Sequence, residues 1–121
     1  MTETGSPSLS STPGVIPYVE WHTGPRRTLT VGLTTGNSVV GKKYRPIVSV
    51  DGRQYVVVWG PVTFEAPADR NVHLSVHLEG DIVGQVASLL LPPSGQDLRF
   101  RYETHYNTGV GTLTPDPGPQ A

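Results

Sequence analysis

The chain has 121 residues, enough for one domain and too few for two, with nine Lys and Arg against ten Asp and Glu and a formal net charge of −1. That balance offers neither the basic surface of a nucleic-acid binder nor an acidic solvating block. Cysteine is absent, which excludes disulfides, thiolate metal sites and a cysteine nucleophile.

Residues 1–17 are dominated by Ser, Thr, Pro and Gly and have little to bury, so they are expected to be a disordered tail. They hold no basic stretch leading into an apolar run, so no signal peptide is expected. No segment approaches the roughly 20 apolar residues that span a bilayer, and membrane insertion is not expected. A cytoplasmic location is the default expectation. The Pro-rich residues 115–121 are expected to be a second disordered tail, leaving 18–114 as the domain.

Within that domain the apolar period is two. Leu29, Val31 and Leu33 alternate with Thr28, Thr30 and Gly32, the pattern of a half-buried strand. Residues 47–50 and 55–59 flank Asp51-Gly52, a pair that tolerates the positive φ angles of a type I′ turn. A two-residue loop there pairs Val50 with Arg53 and Val48 with Tyr55, putting Val48, Val50, Tyr55, Val57 and Trp59 on one core face. Gly60-Pro61 is expected to end that strand, 62–65 to form a short one, and 67–70 to turn. From 72 to 79 every even position is apolar and every odd one polar. Gly80-Asp81 reads as a turn and 83–91 as a strand, stopped by Pro92-Pro93-Ser94-Gly95. Leu98, Phe100 and Tyr102 alternate with Arg99, Arg101 and Glu103, and 109–114 can add a last strand. Seven to nine short strands, fourteen Gly, twelve Pro and no substantial helix predict an all-β, antiparallel β-sandwich.

Several residues invite a function. Gly36-Asn37-Ser38-Val39-Val40-Gly41-Lys42 matches the first seven positions of the phosphate-binding GxxxxGK[ST] loop. The eighth is Lys43, so the magnesium-holding hydroxyl is missing, and Tyr44-Arg45-Pro46 leads into a strand where the motif needs a helix. The segment is therefore read as an inter-strand loop. His73 and His77 would share a zinc on a helix, but on a strand they lie about 13 Å apart. They are read as solvent-facing, with Ser75 and Glu79. No motif nominates a site at His22 or His105, and a cross-strand site such as His73 with His105 stays open. No metal or other cofactor is expected.

Asp51, Asp69, Glu79, Asp81 and Asp97 fall singly, mostly at turns, and neither GxSxG nor a calcium loop is present, so no enzyme is expected. Arg99 and Arg101 share a face, and Lys42, Lys43 and Arg45 lie close together elsewhere. Phe100 and Tyr102 point away from the arginines, which argues against a stacking nucleic-acid platform. Tyr18, Trp21 and Tyr106 are the candidate ligand-stacking residues.

Pro46-Ile-Val-Ser-Val-Asp-Gly-Arg53 resembles the hairpin that opens small PEGA-like, Ig-like β-sandwich modules found in actinobacterial proteins. Phe64-Glu-Ala-Pro-Ala-Asp-Arg-Asn-Val-His-Leu-Ser-Val76 is similar to their strand, proline turn, basic residue and alternating strand, with Pro67-Ala68 where Pro-Gly is usual. Gly84-Gln-Val-Ala-Ser, Pro92-Pro-Ser-Gly and Leu98-Arg-Phe-Arg-Tyr look like the closing strands, so the resemblance spans roughly Gly32 to Thr114. It implies a non-catalytic accessory or interaction module, with no site residues to carry over. The expected function is a protein-interaction or structural module acting through a sheet edge or end loops. The alternatives are a ligand or carbohydrate binder using exposed aromatics, then an enzyme assembled from distant strands.

Overall fold

The computed structural model describes residues 14–79, 83–105 and 107–116. Among them the chain forms nine strands and one short helix, in the order β1 (Val15–Ile16), β2 (Arg26–Thr34), α1 (Ser38–Lys43), β3 (Pro46–Val50), β4 (Arg53–Val56), β5 (Gly60–Pro67), β6 (Val72–Glu79), β7 (Val83–Leu91), β8 (Leu98–Glu103) and β9 (Thr112–Pro115). Two sheets result. Sheet A has the order β1-β5-β2-β8-β9 and sheet B the order β4-β3-β6-β7.

Alternation drives this arrangement. On β2, Arg27, Leu29, Val31 and Leu33 are buried and their neighbours are not. Leu29, Val31, Phe64, Phe100 and Tyr102 of sheet A join Val48, Val50, Val72, Leu74, Val76 and Leu91 of sheet B in one apolar cluster. Burying these large side chains supplies the main driving force, about 2 kcal/mol each. The Asp51-Gly52 turn has φ of 49° and 87° at its two residues, and the ladder pairs Val50 with Arg53 and Val48 with Tyr55 as expected. Tyr55, Val57 and Trp59 pack against the core from that face.

The structure corrects four expectations. Sheet A is mixed rather than antiparallel, because β1 runs parallel to β5 and β2 parallel to β8. Parallel neighbours need long connections, and nothing in local periodicity reveals them. Val15–Ile16, assigned from sequence to the tail, forms β1 by pairing with Thr63 and Phe64. Gly60 opens β5 instead of ending the strand before it, and its φ of 117° lets the chain pass from sheet B to sheet A. Residues 38–43 form α1 rather than a plain loop, since Asn37 Oδ1 accepts from the backbone N–H of Val39 and Val40 and caps the first turn.

β7 carries a bulge. Its ladder with β6 shifts between Val76 and Leu78, and Gln85 there has φ of 53°. The turn expected at Gly80-Asp81 lies outside the described residues. Among the described residues no helix is long and apolar enough to cross a membrane.

Candidate functional site

Three polar clusters and one strand edge stand out. The first cluster lies at the Asp51-Gly52 tip. Tyr18 Oη donates to Asp51 Oδ2 at 2.7 Å and accepts from Arg70 Nη2 at 2.5 Å. Asp51 Oδ1 accepts from the His73 N–H at 2.8 Å, fastening the tip to β6. Arg53 pairs with Glu20 at 3.0 Å beside them. Burial, then the bond to Asp51, raises the Tyr18 pKa above the ordinary tyrosine value. The surface here is a shallow concavity of about 820 Å³ lined by Tyr18, Glu20, Asp51, Arg53, Arg70 and Asn71. Its charges balance within the cluster, so it offers no net field to an ionic ligand.

The second cluster is buried. Arg27 is 1% exposed, and its Nε and Nη1 donate to the carbonyls of Pro67 at 3.0 Å and Pro92 at 2.9 Å. It thereby ties the last residue of β5 to the loop that follows β7. Glu65, equally buried, accepts from Arg26 Nη1 at 2.7 Å and from the Tyr18 N–H at 3.0 Å. Arg26 also donates to the His22 carbonyl. These bonds strap the segment before β2 onto sheet A.

The third cluster gathers on the Gln85 bulge. Its side-chain amide makes reciprocal bonds with the backbone N–H and C=O of His105, at 2.7 and 3.0 Å. Its backbone N–H donates to the Gly109 carbonyl and its C=O accepts from Tyr102 Oη at 2.5 Å. The turned-out bulge residue thus clasps sheet B to the loop between β8 and β9. His105 Nε2 lies 3.0 Å from Thr112 Oγ1. That pair has the composition of a base and a hydroxyl nucleophile. The described residues place no carboxylate on the other ring nitrogen, however, and the histidine is exposed, so nothing orients the ring or excludes water.

The residues singled out from sequence are dispersed. Residues 36–42 lie across the start of α1, where Asn37 already occupies the amides of Val39 and Val40. His73 is exposed as expected, but His77 is only 8% exposed, which corrects its solvent-facing assignment. It sits on a central strand opposite Ile47, beside the bulge, and bonds Glu79 Oε2 at 3.0 Å. His22 meets Asp69 at 3.3 Å and the edge of the Tyr18 ring. No group of three or more His, Asp or Glu forms a metal-holding cluster among the described residues. Of the stacking candidates, Tyr18 is buried with its hydroxyl in use, Trp21 is 85% exposed, and Tyr106 lies outside the described residues. Arg99 and Arg101 are exposed while Phe100 and Tyr102 face the core.

The strand edge is the feature that sequence reading alone passes over. β7 ends sheet B, and among the described residues its ladder runs only to β6. Its nine residues, VGQVASLLL, contain no charge and no proline. Val83, Val86 and Leu90 are exposed while Ala87 and Leu89 pack on the core. The absence of charge is legible in the sequence, but the edge position is not. A scan of protein-family models, a search of curated proteins and a search of solved structures each found no match for this chain.

Proposed function

We propose that the chain is a non-catalytic β-sandwich interaction module, Ig-like in plan, that binds a protein partner by extending sheet B at β7. One observation carries the reading: a nine-residue edge strand with no charge, no proline and two apolar side chains turned outward over residues 86–90. Edge strands that must stay alone are kept short, charged or interrupted by proline, because an open ladder templates further pairing. The other edges obey that rule. β1 has two residues, β9 four ending in Pro115, and β4 four beginning with Arg53. β7 does not, and strand addition uses such an edge, with the backbone supplying affinity and the alternate side chains specificity.

Amide exchange tests the reading. In the dilute chain, alternate amides of residues 86–91 are expected to exchange fast, then slow when the partner binds. Uniform protection in the dilute chain defeats it, because the edge is then already covered. Trp21, the most exposed large apolar side chain among the described residues, supports a second reading as a single stacking surface for a sugar or other planar-faced ligand. Its check is a saturable change in tryptophan fluorescence on titrating oligosaccharides, lost in Trp21→Ala.

A further inference from the structure

We infer that the partner of the β7 edge is a second copy of this chain, with β7 pairing antiparallel to β7 about a two-fold axis through Ser88. The inference rests on the edge reading above and adds the identity of the occupant and the register.

The usable edge is bounded on both sides. At one end the Gln85 N–H is taken by the Gly109 carbonyl, and the bulge turns the strand away. At the other end Pro92 and Pro93 have no N–H to offer. Residues 86–91 remain. In an isologous antiparallel pair, opposed residues must lie on the same face, so the axis passes through a residue rather than between two. Centring on Ser88 sets Val86 against Leu90, Ala87 against Leu89 and Ser88 against itself. Val86 is 46% and Leu90 64% exposed, and both stand on the outer face, so each copy covers the other's two apolar side chains. On the inner face the small Ala87 meets the large Leu89. Centring on Leu89 instead opposes Leu89 to itself and sets Ser88 against Leu90. Centring on Ala87 needs Gln85, which is already engaged. Only Ser88 satisfies the bounds and the side-chain pairing together.

No charge on β7 opposes itself across the axis, so self-pairing meets no repulsion. Two four-stranded sheets then join into one of eight, four from each copy. A foreign peptide would demand no such internal symmetry of residues 86–90. A second copy does.

The chain lacks cysteine, so single cysteines report the register directly. In Ser88→Cys the two Cα atoms oppose each other at about 4.5–5.5 Å, within disulfide reach. Mild oxidation is expected to link the copies. In Leu90→Cys the two sites are offset by four residues, about 13 Å, and no link is expected. Mixing Val86→Cys with Leu90→Cys chains is expected to restore linking. Sedimentation of the unmodified chain is expected to show a dimer fraction that rises with concentration. Val86→Lys, which sets a cation against Leu90 of the second copy, is expected to weaken it by about tenfold or more.

A monomer at every concentration whose residues 86–91 exchange freely overturns self-pairing and leaves the edge reading standing. A monomer already protected there overturns both. A dimer that Val86→Lys does not weaken, or that links as readily through Leu90→Cys as through Ser88→Cys, places the interface elsewhere and overturns the inference.

Discussion

The two sheets treat their polar groups and edges in opposite ways. Sheet A is open but leaves little at its edges. Its edge strands are short, its buried Glu65 and Arg27 bind within the chain, and its outer face pairs Thr30 with Thr63 at 2.9 Å and Arg101 with Glu103 at 3.9 Å. Sheet B ends in a long neutral strand whose ladder, among the described residues, runs only to β6, and whose Val83, Val86 and Leu90 are exposed. The contrast separates groups that hold the fold from groups the fold leaves available. Stability should therefore sit with the internal clamps, and association with β7.

The largest expected effect is at Arg27. Arg27→Ala removes the donor to the Pro67 and Pro92 carbonyls and the packing of a long buried stem. A loss of about 3 kcal/mol is expected from urea unfolding, since orphaned buried groups and lost packing add. A loss near zero would show that these carbonyls are satisfied without it, and would dissolve the distinction between the two sheets.

Next comes Gly111, where the two sheets meet. A Cβ there would stand 2.5 Å from the Gln85 carbonyl oxygen and 2.6 Å from the Tyr102 ring. Backbone cannot move aside cheaply, so Gly111→Ala is expected to cost about 2–3 kcal/mol in the same measurement. It should also loosen the Gln85 clasp, seen as faster exchange of the His105 amide.

Tyr102→Phe removes one hydrogen bond, to the Gln85 carbonyl, and is expected to cost about 1 kcal/mol. It also sharpens a pH effect. Burial raises the pKa of Tyr18, Tyr55 and most of all Tyr102 above the ordinary value. The folded state thus favours the neutral phenols, and their contribution is fully present below the unfolded pKa of about 10. It is lost as pH rises through the higher folded values. Melting temperature should fall as pH climbs above about 10, and Tyr102→Phe should flatten that fall. An unchanged alkaline profile in the variant would assign the fall to other groups.

The smallest stability effect belongs to β7. Val86→Lys in the dilute chain is expected to shift unfolding by no more than about 0.5 kcal/mol, as exposed substitutions usually do. Dilution matters because any association adds to apparent stability. A cost comparable with Arg27→Ala would make the β7 edge part of the fold rather than a surface left for binding.

Much of this protein is legible in its residues. The strands at 26–34, 72–79 and 98–103 follow from period-two alternation, which reports burial on one face without reference to any neighbour, and the strand at 83–91 from the turn signals on either side of it. The Asp51-Gly52 turn and its register follow from local φ preferences. α1 escaped that reading because one capped turn and a half is too short to show a helical period. The edge strand was visible as an uncharged run but not as an edge, and Arg27, though in phase with Leu29, Val31 and Leu33, was hidden by a charge that ordinarily points to solvent.

The sequence by itself therefore determined most of the segments that become strands, where the tightest turn lies, and that β7 carries no charge. Those properties depend on residues within a few positions of each other. Only the tertiary structure decided that β2 and β8 run parallel, that Tyr18 and His77 are buried, that Gln85 clasps the opposite sheet, and that β7 ends sheet B. Each of these depends on residues far apart in the chain, whose meeting is set by how two whole sheets bury one core.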